Sequence, residues 1–207
     1  MGALCEAIET ARRAEDPYVE GVQSEGETID AACDLSFFEL HDLHLTRCSL
    51  AGAHLAKASL YDCTLEECDL SNADLTEVYL ARTRLVDCKL TGAQMTKAFL
   101  KRTRLVNCSC RYANLGEATL EASTFTDCDL QESFLAEMRL RGKPRFEQCD
   151  LTRADLFRTP LKGMDFSTCV IAGIAVSDTR SELRGATISL EQAPDVAAML
   201  GVRILGH

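Results

Sequence analysis

The sequence predicts an all-β solenoid whose coils each have four short sides, and three observations carry that prediction. First, counting in fives from Leu35 gives 22 positions up to Leu140, of which only Met95, Cys110 and Phe125 are not leucine. After one extra residue inside RGKPR, Arg141 to Arg145, the count resumes at Phe146, Leu151, Leu156, Leu161, Phe166, Ile171 and Val176, making 29 five-residue units. Second, the residue two before each of these positions is usually small: Ala53, Ala58, Ala73, Ala93, Ala98, Ala113, Ala118 and Ala154, with Thr83, Thr103 and Ser123 elsewhere. Third, Cys48, Cys68, Cys88, Cys108 and Cys128 are spaced by twenty, and Cys149 and Cys169 continue the series once the slip is counted.

A period of five fits neither the 3.6 of a helix nor the 2 of a flat strand, so the chain must turn after each short extended piece. A large inward residue paired with a small one fills a narrow coil without voids. Cysteine sets the coil length: four units of five return the chain to the same column. RTRLVDC at Arg82 to Cys88 and RTRLVNC at Arg102 to Cys108 are therefore one face on successive coils.

The segments flanking the coils follow in order. Ala3 to Ala14 reads as a short amphipathic helix and Tyr18 to Ile29 as a strand-like lead-in, together a cap for the open first edge. Pro144 stands where a small inward residue is expected, so Arg141, Lys143, Pro144 and Arg145 form a bulge and a candidate contact point. The tail from Leu183 breaks the rhythm. Ser189 and Gln192 resemble a capping box, Gly201 suits a C-cap, and Leu190, Ala193, Val196, Ala197 and Leu200 line one helical face. Pro194 is tolerable only near the first turn, and Val202 to Leu205 is an apolar run suited to a strand. The expected organisation is a cap over 1–30, about seven coils over 31–176 and a C-terminal cap over 177–207.

Composition narrows the function. The net charge is -10, but residues 1–30 hold 8 acids against 2 bases, whereas 31–176 hold 20 against 17. A chain of this charge argues against an ordinary phosphate-binding surface, so no direct contact with nucleic acid is expected. No apolar run approaches a membrane span, and the N-terminus lacks a basic leader, which implies a soluble cytoplasmic protein.

SNADL, RYANL and TRADL match the consensus A(D/N)LXX, and in this the chain resembles the pentapeptide-repeat family over about 31–176, roughly 70% of its length. The resemblance implies a right-handed quadrilateral β-helix with short helical caps. The order LRG, a strand-like residue, a helix containing Gln and Ala, then LG and a short apolar strand looks like the tail of the Qnr and MfpA type of that family. This implies a homodimer through the C-terminal helix at Leu190, Ala193, Val196, Ala197 and Leu200. It also implies a DNA mimic that binds DNA gyrase or topoisomerase IV, protecting against quinolones or other topoisomerase poisons. The coils are less acidic than a DNA mimic suggests, and the long loops of Qnr-type proteins are missing.

Catalytic signals are weak. Cys108 and Cys110, expected to point differently, make no metal pair, and buried reduced thiols explain the cysteines best. His41, His44 and His54 suit surface or turn positions. There is no P-loop, nucleophile elbow or HExxH, so a non-enzyme without cofactor or metal is expected. Charged columns are more informative. Lys57, Glu77, Lys97 and Glu117 alternate in sign. Glu67, Asp87, Asn107 and Asp127, with Asp69 and Asp129 beside them, form the candidate partner-binding acidic face, since like charges one rung apart repel and need a reason. Arg82, Arg84, Arg102 and Arg104 make a basic strip of unassigned role. The rival expectation is a structural or protein-interaction scaffold whose partner has nothing to do with DNA.

Overall fold

A computed structural model of the protein describes residues 2–29, 33–203 and 205. The expected boundary at 30/31 and His207 lie outside the described residues. The chain forms a four-sided β-helix. One side is a parallel sheet stacking β1 (Tyr18–Glu20), β3 (Glu39–His41), β5 (Ser59–Tyr61), β7 (Tyr79–Ala81), β9 (Phe99–Lys101), β11 (Thr119–Glu121) and β13 (Arg139–Arg141). The adjoining side stacks β2 (Gln23–Glu25), β4 (His44–Thr46), β6 (Thr64–Glu66), β8 (Arg84–Val86), β10 (Arg104–Val106), β12 (Thr124–Thr126) and β14 (Arg145–Glu147). Register is in steps of twenty, as in Leu60 against Leu80 and Leu80 against Leu100.

The other two sides are thinner. They carry single bridges, one through Ser49, Asp69, Lys89, Ser109, Asp129, Asp150 and Val170, the other through His54, Asp74, Gln94, Asn114, Phe134, Asp155 and Ala175. Periodicity alone treats all four sides alike. The extended pieces on the thin sides are too short to propagate a ladder before the next corner. Corners turn through left-handed residues, most of them not glycine: Asp62, Arg82 and Arg102 have φ of 56°, 53° and 53°. That conformation costs about 1 kcal/mol for a residue with a Cβ. It is held because each corner N–H donates to the next coil, for example Arg82 to the Lys101 carbonyl at 2.9 Å.

The leucine column fills the axis. Leu35, Leu40, Leu55, Leu80, Leu100 and Leu120 are all 3% exposed or less, and the space among the leucines from Leu35 to Met95 amounts to about 20 Å³, too little for a channel. The small inward positions carry a second rule. Their donors bond carbonyls of the preceding coil, as in Thr103 Oγ1 to Leu80 at 2.9 Å, Ser123 Oγ to Leu100 at 2.9 Å and Cys88 Sγ to Leu65 at 3.4 Å, with Ser133, which bonds Leu130 of its own coil at 2.7 Å, as an exception. Burial pushes the Cys63 thiol up to about 11 and raises Cys110 well above its ordinary value, and Cys63 Sγ donates to the Leu40 carbonyl at 3.4 Å. Cys108 and Cys110 both point inward, contrary to the expected divergence, because residues two apart share a face: Cys108 fills a small position and Cys110 a leucine position.

Both ends are closed by polar staples. Helix α1 (Ala3–Arg13) buries Leu4, Cys5, Ile8 and Ala11 against the first coil. Its Leu4 and Cys5 N–H groups donate to the buried Glu27 carboxylate at 3.0 Å each, and Ser24 Oγ adds a third bond. At the far end Glu182 accepts from Arg158 N–H at 2.9 Å and from Ser177 N–H and Oγ at 3.2 and 2.8 Å. Gln192, 6% exposed, donates through Nε2 to the Phe166 and Cys169 carbonyls and accepts from Ser189 N–H through Oε1. The expected capping box is thus half formed, with the glutamine amide plugged into the last coil.

Helix α2 runs Ala193–Met199 with Pro194 in its first turn. It ends as expected at Gly201, φ 72°, with Gly201 N–H bonded to Ala198 and Val202 N–H to Ala197, a Schellman closure. Val202 and Arg203 carry no strand pairing, and Ile204 lies outside the described residues. Gln192→Ala leaves the Cys169 carbonyl without its donor and the Phe166 carbonyl with Cys169 N–H alone. It should destabilise the tail by about 1–3 kcal/mol, raising amide exchange over 187–202 while exchange in the β5 to β11 coils stays unchanged. Equal exchange in the tail of variant and parent would show that the amide plug is not what seats it.

Candidate functional site

The acidic residues Glu67, Asp87 and Asp127 occupy one corner column between the second sheet and the thin side that follows it, with Asn107 between. All four have φ between 51° and 54°, and all are exposed. Backbone conformation explains part of this composition, because Asp and Asn tolerate the left-handed region better than most side chains. It does not explain Glu67, for which that conformation brings no local hydrogen bond. Asp87 accepts from Asn107 Nδ2 at 2.6 Å, which fixes its carboxylate without neutralising it. Among the described residues, Glu67, Asp87 and Asp127 make no ion pair of 4.0 Å or less.

Asp69 and Asp129 sit beside this column on the thin side, but their carboxylates turn back to the chain. Asp69 Oδ1 accepts from Ser71 N–H at 2.9 Å and Asp129 Oδ1 from Gln131 N–H at 3.0 Å. Burial pushes the Asp69 carboxyl up, but Ser71 and the neighbouring Lys89 outweigh it and hold it below the usual range. Asp129 lies 3.6 Å from Arg111. These two are turn staples in a mixed-charge column, so the unpaired acidic surface is narrower than the spacing suggested.

The alternating column is placed as expected: Lys57 and Glu77 are 3.9 Å apart, Lys97 and Glu117 4.0 Å. Exposed pairs of this kind contribute about 0–1 kcal/mol. His41 and His44 both project outward on strands that flank a corner, rather than one at a turn, and His41 joins a ladder of rings through Tyr18, Tyr61, Tyr79 and Phe99 with centroids 4.5 to 5.5 Å apart. At the bulge, Arg141, Lys143 and Arg145 are exposed, while Pro144 is buried in the small inward position and presents nothing to a partner.

In the tail, Leu190 and Leu200 are 85% and 58% exposed, and Val202 and Leu205 add 54% and 83%. Val196 and Met199 pack inward against the last coil instead. The five expected interface residues therefore do not share one outward stripe, since Leu190 precedes the helix and Val196 is spent on the core. The inward staples Glu27 and Glu182 escaped the pattern analysis, which found Gln192 only as a partner in a helix cap. A signal for Glu27 existed: stepping back 21 residues from Cys48 lands on it, placing a carboxylate in a column of small inward residues.

Parallel rungs stepped by twenty, left-handed corners and a leucine-filled axis define a four-sided solenoid whose exposed features are charged columns and an apolar C-terminal tail. Family comparison agrees: the description "Pentapeptide repeat region" matches residues 38–98 and "Pentapeptide repeats (8 copies)" matches residues 103–142. The chain is a pentapeptide-repeat protein. No curated protein sequence matches it. Similar solved structures include a trypsin-treated form of QnrB1, a plasmid-mediated fluoroquinolone resistance protein, at 19% identity, covering 91% of this chain and 100% of that one with a TM-score of 0.37. HetL, involved in heterocyst differentiation regulation in the cyanobacterium Nostoc sp. strain PCC 7120, matches at 17% identity over 87% of this chain and 92% of its own, with a TM-score of 0.34. Rfr23 from the cyanobacterium Cyanothece 51142 matches at 18% identity over 83% and 88%, with a TM-score of 0.19. With TM-scores below 0.5, none of the three assigns this chain a partner. Among the described residues no helix is long and apolar enough to cross a membrane.

Proposed function

We propose that this protein is a non-enzymatic cytoplasmic rod that binds DNA gyrase or topoisomerase IV as a DNA mimic, acts as a homodimer joined through its C-terminal tail, and protects against quinolones or other topoisomerase poisons. The observation that carries the reading is the exposed corner of Glu67, Asp87 and Asp127, three carboxylates without an ion pair among the described residues along a rigid edge with rungs about 4.8 Å apart, Asn107 standing between the last two. Such a row offers the electrostatic pattern of a phosphate backbone to a cationic DNA-binding saddle. Leu190, Leu200, Val202 and Leu205 supply apolar surface for a contact between two tails.

The test is gyrase supercoiling across a titration of the protein, with and without a quinolone. The expected result is inhibition or rescue that saturates near one dimer per enzyme. The triple variant Glu67→Lys, Asp87→Lys, Asp127→Lys should abolish it without moving the thermal midpoint by more than a few degrees. An undiminished effect in that variant removes the acidic corner from the mechanism, and no effect of the parent protein removes the topoisomerase. The second reading, an interaction scaffold with a partner unrelated to DNA, is favoured by the mixed column of Asp69, Lys89 and Asp129 and by the preference of left-handed corners for Asp. Recovery of a non-topoisomerase partner whose binding survives the triple variant would establish it.

A further inference from the structure

The corner between the two stranded sides divides by charge along its length. Rungs are counted here from β1 and β2 as the first to β13 and β14 as the seventh. Near the start lie Glu20, Asp42 and Asp62, all exposed. From the fourth rung onward the same corner carries Arg82, Arg84, Lys101, Arg102, Arg104, Arg141, Lys143 and Arg145, and the one acid among them, Glu121, is 3.7 Å from Lys101. Arg82 is engaged by Asp62 through Nε and Nη2 at 2.6 and 2.5 Å, and Arg145 lies 3.6 Å from Glu147. Arg84, Arg102, Arg104, Arg141 and Lys143 make no ion pair of 4.0 Å or less among the described residues.

From this segregation we infer that the edge docks a second copy of the chain, two rods lying side by side and antiparallel about a two-fold axis between the third and fourth rungs. An isologous contact of that kind places rung three against rung four, two against five, one against six, and the capped first end against rung seven. The corner columns are then complementary. Asp62 meets Arg82 of the second copy, making a ring of four alternating charges with the two internal pairs. Asp42 meets Arg102 of the second copy.

Shape agrees with charge. Gly21 on the first rung faces Ala122 on the sixth, so nothing bulky holds the corners apart, and no side chain crowds Gly21. Tyr61 faces Ala81 at the centre, placing half-buried aromatic surface where interfaces concentrate their energy. The one like-charge meeting is Glu20 with Glu121, and Glu121 is already held by Lys101. A polyanion would use only the cationic half of the edge and meet the carboxylates of the other half. A second copy uses both halves. This edge is separate from the acidic corner and the tail, so the inference stands whether or not the topoisomerase reading does.

Sedimentation velocity of the full-length protein, run from low to high protein at about 50 mM and 500 mM salt, tests it. The expected result is a salt-weakened association, with the dissociation constant raised about tenfold or more by Arg102→Asp and likewise by Asp42→Arg. The double variant carrying both should regain most of the loss, because each exchanged pair is restored across the two-fold. Leu200→Glu, in the tail, separates the two contacts. Edge association that persists in Leu200→Glu supports the inference. Association lost in Leu200→Glu but indifferent to Arg102→Asp overturns it, as does a double variant no better than either single one. A protein that stays monomeric at low salt while binding heparin or DNA through Arg102 also overturns it, giving the edge to a polyanion.

Discussion

Leu80→Arg should abolish the folded solenoid. Leu80 is 3% exposed on β7, with Leu60 directly on one side and Leu100 on the other, so no rotamer carries a guanidinium from this position to solvent without opening the wall. Removing the buried leucine costs about 2–5 kcal/mol, and an unpaired buried charge costs several more. The sum is comparable to the whole stability of a typical domain, about 5–15 kcal/mol. Each coil touches only its neighbours, so one unwelcome rung also severs coupling between the coils above and below. The expected readout is loss of the cooperative thermal transition and of soluble yield. Leu80→Ala provides a measurable intermediate with a lower midpoint, and Arg84→Gln, outward on the same rung, should melt within a few degrees of the parent. A Leu80→Arg protein that melts normally would refute the inward register.

Glu27→Ala should detach the N-terminal cap. The Glu27 carboxylate is the acceptor for the first N–H groups of α1, and it is buried where a helix end attracts negative charge. Its loss leaves two donors without a partner. The expected cost is about 2–4 kcal/mol, from hydrogen bonds to a charged group and the helix-end interaction. Gly2 belongs to the same device, because a Cβ there would stand 2.0 Å from the Glu27 carboxyl carbon, so Gly2→Ala should weaken the cap as well.

The cap should also respond to pH. Burial pushes the Glu27 carboxyl up, but Ser24 and the Cys5 and Leu4 N–H groups outweigh it and hold it below its ordinary 4.5. A carboxyl lowered in the folded state contributes stability that is present in full above the unfolded value and is lost as pH falls through the folded one. Amide protection of α1 should therefore fall below about pH 4 in the parent protein. In Glu27→Gln it should be lower at neutral pH and insensitive to acid. Protection in the parent that is flat from pH 6 to 3 would show that the carboxylate is not the clasp. An uncapped first edge exposes unpaired strand groups, so Glu27→Ala should also aggregate more readily.

Spacing alone resolved a great deal of this molecule. The leucine column, the small inward partner, the twenty-residue coil, the slip at RGKPR and the Lys57, Glu77, Lys97, Glu117 alternation are all legible because a solenoid maps sequence separation onto spatial neighbourhood. A residue and its counterpart twenty places on meet whatever else the chain does, and burial at the axis enforces the repeat. The caps were legible as elements, since Ala3 to Arg13 and Ala193 to Met199 carry helical signals of their own.

What the spacing left open is how side chains use the freedom at the surface and the ends. Asp69 and Asp129 join Asp87 in the acidic face that the spacing suggests, yet Asp69 and Asp129 turn back to cap a following N–H while Asp87 stays outward at a corner. The same holds for Leu190 and Val196, which share a helical period until the helix begins at Ala193 and Val196 packs inward. Glu27, Glu182 and the inward use of Gln192 were hidden because a coil end has no next rung: its orphan N–H and carbonyl groups recruit whichever polar side chain the tertiary structure delivers. The separation of acid and base along one corner was likewise invisible to net charge, which sums over a rod that only the fold lays out in order. The sequence by itself therefore determined the repeat and its core, through burial at a fixed period. The tertiary structure alone decided which charges are free, because pairing and capping depend on distances across rungs and corners.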